Sequence, residues 1–352
     1  MWIKQILVLC GVLAAACSLL IFPAAASQGA RNGIGYCLQV LVPSLYPFMV
    51  LSIFVVKSGL SEKLGKVFEA PARAVLKLPG STAATILMAA IGGYPTGARS
   101  VAALFESGAV SEGQAARMLS FCVNAGPAFV ISAVGTGFLK SPRAGLILFA
   151  SQLLGSIILG VISAIPAKRE PAVPARKKYR RVSFSDALIS SAYDAARAIL
   201  NMCCFVILFA SLINLLRLWV TEPHSATVLS ALLEVTGGCS DLARTGAPLA
   251  ALSFAIGWGG ICVHFQVLSS VSGIRVSLLH FLFYRFLHGG LSALITLVLV
   301  RQFPLSTPVF YNTSAPLTAQ FSGSVPAAAA LIALCAVFLF SLSPEKLEFG
   351  GN

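Results

Sequence analysis

The sequence Gly-Gly-Tyr-Pro-Thr-Gly-Ala-Arg at residues 92–99 interrupts an apolar segment that runs from Thr82 to Ala103. Glycine and proline loosen or stop an α-helix, so this run predicts two half-helices instead of one continuous helix. A second apolar segment, Pro248–Val271, is interrupted in the same manner at residues 257–260, which read Gly-Trp-Gly-Gly. Broken backbone persists in a bilayer only where protein or a water-filled cavity covers it, so both breaks predict an internal site.

The composition indicates that the solvent around this chain is lipid. Of the 352 residues, 57% are apolar and only 11% are charged, whereas a soluble domain has about 25% charged residues. The mean hydropathy is +0.87. At about 20 residues per span, the chain is long enough for about eight to ten membrane-spanning pieces. We therefore predict an all-α polytopic membrane protein that crosses the bilayer many times.

Seven further apolar stretches are predicted to span the membrane. They cover residues 6–22, 34–56, 118–139, 146–165, 199–220, 276–300 and 325–342. The first stretch also resembles a signal peptide, because Lys4 precedes it and the small residues Ala24–Ala26 follow it. It is longer than the usual apolar region of a signal peptide, and more membrane follows. We therefore predict a retained first span.

The two broken segments lie at matching places in two halves of the chain. Residues 90–92, Ala-Ile-Gly, recur at residues 255–257, and Glu69 and Glu234 lie 21 residues before the respective alanines. One span precedes each broken segment and two follow it, so each half crosses the membrane an odd number of times. This pattern predicts two inverted repeats, each with a broken helical hairpin. In the alternative, each broken segment is one kinked span that crosses the membrane and is not re-entrant. Each half would then cross the membrane an even number of times.

Charge supports the inverted arrangement and predicts which loop is cytoplasmic. Residues 168–181 contain seven Lys or Arg and one Glu, which the positive-inside rule assigns to a cytoplasmic linker. Nucleic acid is the alternative partner for a basic run, but this one is short and lies between spans. Residues 57–77 contain five basic and two acidic residues, whereas residues 222–244 contain three acidic residues and one Arg. We predict the lipid bilayer as a partner and no nucleic acid.

The first break is a candidate binding site for an anion. Pro95 is expected to end one half-helix and Thr96 to cap the next, whose free N–H groups would attract negative charge. Arg99 lies one turn after the break, where its guanidinium could hold a carboxylate through two hydrogen bonds. In the alternative, Arg99 reaches a lipid headgroup or caps a carbonyl. The candidate substrate-binding residues here are Gly93, Tyr94, Pro95, Thr96, Gly97 and Arg99.

The second break adds Gly259, Gly260, His264 and Gln266 to the candidate site. The last two are polar groups in an apolar run, and they need buried partners. A single histidine is more often a packing residue than a ligand, so both interpretations of His264 stay open.

A third break at residues 124–127, Asn-Ala-Gly-Pro, adds Asn124 and Pro127 to the candidate site. Its carbonyls and the asparagine amide could line a cavity, or the proline could simply kink a helix. Arg285 and His288 lie three residues apart and share a helical face, either toward a pore or near an interface.

Patterns of enzymes and cofactor sites are absent from the sequence. There is no Walker loop, no H-E-x-x-H and no G-x-S-x-G, and the nine cysteines include no C-x-x-C pair or zinc spacing. We predict a protein that is not an enzyme and binds neither metal nor cofactor. The candidates for carrying a proton within the membrane are Glu106, Glu234 and His264.

The chain resembles the YlbJ-type sporulation integral membrane proteins, which carry the nucleoside-recognition or Gate domain. The resemblance covers roughly residues 35–300. The runs that carry it are residues 43–48 (PSLYPF), 93–99 (GYPTGAR), 124–127 (NAGP), 234–238 (EVTGG) and 257–266 (GWGGICVHFQ). From this resemblance together with the two halves and the basic run, we predict an N-terminal span at residues 1–33, Gate-like repeats at 34–166 and 183–343, a cytoplasmic linker at 167–182 and a tail at 344–352.

The resemblance also implies a function in endospore formation. It implies a transporter that moves dipicolinate, a planar aromatic dicarboxylate, across the outer forespore membrane, so we expect the chain there or in the cell membrane. The expected partner is a small anionic solute, and homo-oligomerisation is left open. One alternative is a nucleoside-type transporter, because Tyr, Asn, Gln and His would also suit nucleosides. Another is a sporulation scaffold that transports nothing.

Overall fold

The computed structural model describes residues 2–167, 183–271 and 273–305, and no β-strand occurs within those ranges. The predicted all-α fold is therefore confirmed. The α-helices in these ranges are α1 Trp2–Ile21, α2 Pro23–Tyr36, α3 Val42–Lys57, α4 Leu60–Ala74, α5 Ala83–Gly92, α6 Tyr94–Glu106, α7 Glu112–Leu119, α8 Pro142–Ala164, α9 Phe184–Leu216, α10 Pro223–Leu233, α11 Val235–Arg244, α12 Leu249–Trp258, α13 Gly260–Ser270 and α14 Leu278–Gln302. Most of the predicted linker, the span at 325–342 and the tail lie outside the described residues.

Five helical stretches in the described ranges are long and apolar enough to cross a membrane. They are Pro23–Lys57, Pro142–Ala164, Phe184–Leu216, Leu249–Ser270 and Leu278–Gln302. The first joins α2 and α3 through a π-helical segment, Cys37–Leu41, so this span begins 11 residues before the predicted start at residue 34. α9 likewise includes residues 184–198, which precede the predicted span at 199–220.

Local side-chain signals set several helix starts. Ser141 accepts a hydrogen bond at Oγ from the Ala144 N–H at 3.2 Å, and proline follows it at the first position of α8. Ser111 and Gln114 form a reciprocal capping box at the start of α7. These caps satisfy N–H groups that have no partner within their own helix.

The two predicted breaks are present in the fold. Gly93 separates α5 from α6 with a φ of +83°, and Gly259 separates α12 from α13 with a φ of +86°. Side chains with a Cβ rarely adopt such angles, which explains the glycines. The predicted position of Pro95 was wrong, however. It does not end a half-helix but occupies the second position of α6, where an absent N–H costs nothing.

Two more breaks occur where the sequence predicted a continuous span or a loop. The stretch predicted as a span at 118–139 consists of the end of α7, an unwound segment at 120–126 and a π-helical segment at Ala128–Phe138. The acidic stretch predicted as a loop at 222–244 is helical, and it is interrupted by Glu234 between α10 and α11.

The four breaks are arranged in two crossing pairs. A Cβ added to Gly126 would lie 2.9 Å from the Ile91 carbonyl and 3.0 Å from the Gly93 nitrogen. A Cβ added to Gly260 would lie 3.0 Å from the Leu233 carbonyl and 3.1 Å from Glu234 Cα. Each half therefore contains two broken segments that touch at their breaks. The inverted relation between the halves stays a prediction.

The N-terminal helix α2 packs against α9 of the second half. Buried Ala26, Gly29 and Gly33 form one face of α2, and such small residues let helix backbones approach closely in a membrane. A Cβ on Gly29 would lie 2.6 Å from the Ala210 carbonyl of α9. The Asn214 amide of α9 donates to the Ala25 carbonyl at 2.7 Å.

The contact between α2 and α9 predicts a difference between two glycines on one helix. We expect Gly29→Ala to lower the free energy of unfolding by about 1–3 kcal/mol, because the added methyl overpacks the contact. Gly35→Ala is the matched control, since a Cβ there meets no atom within 4 Å. It is expected to be neutral or to stabilise by up to about 1 kcal/mol through helix propensity. Thermal unfolding of both purified proteins in detergent checks this, and equal stability would contradict the packing.

Candidate substrate cavity

A partly open cavity lies where the broken segments of the two halves meet. Four of the predicted site residues line it: Gly93, Tyr94 and Pro95 from the first half, and Gln266 from the second. Most of the remaining lining is apolar and comes from α3, α9 and the segments beside the breaks. The volume of the cavity that the centres of water molecules can occupy is about 40 Å³. This is enough for a few waters but not for an aromatic dicarboxylate.

Three helical segments begin at the cavity wall. Tyr94 and Pro95 open α6, Val235 and Thr236 open α11, and Ala128 opens the π-helical segment. A helix N-terminus carries a partial positive charge and unpaired N–H groups. Neither α6 nor the π-helical segment has a side-chain cap. Two uncapped N-termini therefore make this part of the cavity favourable for an anion.

The third N-terminus, that of α11, is occupied by an acidic side chain of the protein itself. Glu234 lies in the break between α10 and α11, is 1% exposed and lines the cavity. Its carboxylate accepts hydrogen bonds from the Thr236 N–H at 2.8 Å and the Gly237 N–H at 2.6 Å. In the described part of the chain, no salt bridge joins it to a basic side chain. Helix N–H groups are thus the stabilising partners of this carboxylate.

The second predicted break leaves the last four carbonyls of α12, at residues 255–258, without partners inside their own helix. All four are nevertheless paired. The Ala255 carbonyl accepts from the Gly259 N–H at 2.8 Å, and the Ile256 carbonyl accepts from the Tyr94 hydroxyl at 2.5 Å. The Gly257 carbonyl accepts from the Arg285 guanidinium, and the Trp258 carbonyl accepts from His264 Nε2 at 2.9 Å. A carbonyl only accepts, so the proton of the neutral His264 ring lies on Nε2. His264 therefore completes the break and does not face the cavity.

Arg285 connects the breaks of the two halves. Its side chain is 1% exposed, and it donates both to the Val123 carbonyl in the unwound segment of the first half and to the Gly257 carbonyl of α12. It also contacts His288 Nδ1 at 2.8 Å, and His288 Nε2 donates to the Gln152 carbonyl of α8 at 2.9 Å. Arg285 therefore lies buried between the two halves, outside the cavity wall.

Arg99 and Thr96 lie differently from their predicted positions. The Arg99 side chain is exposed on α6 and is not part of the cavity wall, so the structure does not bring it to the other candidate residues. Thr96 is buried but does not cap α6. Its side chain packs against Gly92, where even a Cβ would collide with it.

The remaining predicted site residues support the backbone around the cavity. Asn124 Nδ2 donates to the Phe121 carbonyl at 2.9 Å and to Ser156 Oγ at 3.0 Å. Gly97 packs against the Cys122 carbonyl so closely that no side chain would fit. Pro127 precedes the π-helical segment as its N-cap residue. Gly259 packs against Tyr94, because a Cβ there would lie 3.6 Å from the ring, and Gly260 packs against Glu234.

Comparison with known proteins adds one relative. The chain is 24% identical over 326 residues to the sporulation integral membrane protein YlbJ of Bacillus subtilis (strain 168), which covers 81% of this chain and 79% of that protein. The predicted resemblance to YlbJ-type proteins is confirmed. No family model matches the chain, and no solved structure matches it. The YlbJ relative and the five apolar helices together identify a multi-pass integral membrane protein.

The contacts of Arg285 predict a large structural effect of its removal. We expect Arg285→Ala to lower the free energy of unfolding by about 2–5 kcal/mol, because it leaves the buried carbonyls of Val123 and Gly257 without donors. Arg301→Ala, in the last turn of the same helix and exposed, is the control and is expected to change stability by less than about 0.5 kcal/mol. Thermal unfolding in detergent compares them, and equal stability would contradict a bridging Arg285.

Proposed function

We propose that this protein is a carrier that moves a small solute across a membrane during sporulation, and that the solute binds in the cavity between the two halves. The function in sporulation rests on the name of the YlbJ relative. The single observation that carries the transport proposal is one cavity lined by three helix breaks, at Gly93, Gly126 and Glu234, and by Gln266 of the fourth broken segment. Interrupted helices that present their ends to an internal site are typical of secondary transporters.

The solute that we propose is dipicolinate, the dicarboxylate implied by the family resemblance. The uncapped N-termini of α6 and of the π-helical segment support an anion at the cavity. Aromatic rings in the wall, those of Phe48, Tyr94 and Phe129, would suit a planar aromatic molecule. Gln266 would orient the solute, because its amide is held in the structure only by a weak bond to Cys262 Sγ at 3.3 Å.

Transport requires the cavity to open, since the described state leaves room for only a few water molecules. The polar contacts that would have to change include those from Tyr94 to Ile256 and from Arg285 to Val123. Both cross the interface between the halves. We therefore propose that the halves move against each other around the cavity.

A second candidate solute is a nucleoside. It is favoured by the polar groups that the cavity offers: Glu234, Thr236 and Gln266 can exchange hydrogen bonds with an uncharged polar solute, and Arg99 does not reach the wall. No catalytic function is proposed. A scaffold that transports nothing is the remaining alternative, and it predicts no flux of either solute through the wild-type protein.

Reconstitution in proteoliposomes tests the proposal directly. The purified wild-type protein is expected to move labelled dipicolinate, whereas an uncharged nucleoside is expected to move at the rate of protein-free vesicles. Preferred transport of the nucleoside would select the second candidate, and no transport of either solute would favour the scaffold. In the same assay, Arg99→Ala is expected to keep wild-type uptake, because Arg99 is exposed and does not line the cavity.

Gln266→Leu tests whether the cavity is the site. We expect at least about a tenfold loss of dipicolinate flux, because a hydrogen bond to a charged group contributes about 1.5–3 kcal/mol. Gln28→Leu, an exposed glutamine of α2 that bonds within its own helix to Asn32, is the matched control and should keep wild-type flux. Equal flux in both variants would place the solute elsewhere.

A further inference from the structure

Glu234 caps a helix, and it also has two properties that a purely structural cap does not need: burial and a place in the cavity wall. Its carboxylate is 1% exposed, it forms part of the cavity wall, and its hydrogen bonds come from the backbone N–H groups of Thr236 and Gly237. Among the described residues it makes no salt bridge. A buried carboxylate in this setting is held by the N-terminus of a helix and not by a basic side chain, and an acid buried in a membrane protein is usually functional.

Glu222 shows what an ordinary cap of the same kind looks like in this chain. It precedes α10 as Glu234 precedes α11, and it accepts from the His224 N–H at 2.9 Å and the Ser225 N–H at 2.5 Å. Its side chain, however, is exposed and does not line the cavity. The two glutamates therefore have the same capping geometry and differ in burial and in access to the solute.

An anionic solute in the cavity would meet the charge of Glu234 at close range. Two like charges in one small, largely apolar site repel each other strongly. The other titratable or charged groups that are close to Glu234 are Tyr36, Cys37, Tyr94, Cys239, Asp241 and Cys262. Asp241 is paired with Arg217, while His264 and Arg285 are held by carbonyls of α12. Arg285 keeps its charge, but its N–H groups are taken by carbonyls and by His288 and it does not line the cavity, so it pairs directly with neither anion.

We propose that Glu234 binds a proton whenever an anionic solute occupies the cavity, so that solute and proton cross the membrane together. This inference rests on the proposed function. On the loading side, a proton from water forms an O–H bond with one carboxylate oxygen, and the repulsion between solute and side chain ends. On the releasing side, the solute leaves, the O–H bond breaks and the proton passes to water. The carboxylate then returns to the N–H groups of α11.

The direction of coupling follows from this cycle. The proton moves down its gradient to the more alkaline compartment, and the solute moves with it. With the membrane potential held at zero and one proton per solute, each pH unit supports about a tenfold accumulation of the solute. A structural cap without a proton cycle would give no accumulation from a pH gradient alone.

Two assays on proteoliposomes with labelled dipicolinate separate coupling from transport itself. One measures exchange of labelled for unlabelled solute at equal pH, which needs no net proton movement. The other measures accumulation driven by an imposed pH gradient, with a protonophore as the negative control. Absence of exchange in the wild-type protein would refute the proposed function, whereas exchange without pH-driven accumulation in the wild type would refute only the coupling.

Glu234→Gln is expected to keep exchange and to lose the pH-driven accumulation, because the amide oxygen can still accept from α11 but cannot take up a proton. The control Glu222→Gln is expected to keep both. Normal pH-driven accumulation in Glu234→Gln overturns the proposal. Infrared difference spectra of the wild-type protein give a test that does not depend on the folding of a variant. Dipicolinate is expected to produce a protonated-carboxyl band at neutral pH, and absence of this band also overturns the proposal.

Discussion

The carbonyls at the end of α12 impose the constraint on which the rest of the structure depends. A helix that stops inside a bilayer leaves four carbonyls that lipid cannot pair, and each would be costly to leave bare. Side chains from both halves supply the missing donors: Tyr94 from α6, His264 from α13 and Arg285 from α14. The break at Gly259 is therefore stable only in the assembled protein. Folding of this broken segment and docking of the first half are thermodynamically linked.

Within the described part of the chain, Arg285 is buried without a carboxylate partner, which is unusual for a guanidinium. Its partners are neutral: carbonyls of Val123 and Gly257 and the ring of His288. The carbonyl at the end of α12 carries the partial negative charge of a helix C-terminus, and the planar guanidinium can donate to several acceptors at once. Neutral partners do not cancel a full charge, so this region stays positive. Both Arg285 and Glu234 act electrostatically on Tyr94, so an aromatic residue of the cavity wall lies between the influence of a buried cation behind the wall and of an acid within it.

Only part of the fold and of the site could be predicted from the sequence. The breaks at Gly93 and Gly259 were predictable because glycine marks the positive φ angles found there. The break at Glu234 was not, because its φ of −142° is extended backbone that any residue adopts, and no Gly or Pro interrupts the helices at that residue. Arg99 and Arg285 were both visible as charges in apolar segments. Which of them faces protein depends on helix packing, and local sequence patterns do not contain that information.

The polar contacts between the halves suit a movement that opens the cavity to water. Tyr94 donates to the Ile256 carbonyl, and Gln152 donates to the Ser253 carbonyl at 2.8 Å. Such bonds are short and directional, so a shift of a few ångströms would break them. The freed carbonyls would then need new donors, which water in an opening cavity supplies at little cost, whereas lipid supplies none. Separating the two halves is therefore much less costly when water enters the cavity than when it does not. The same contacts that keep the described state closed thus favour an open state that is hydrated, and a solute carrier needs both.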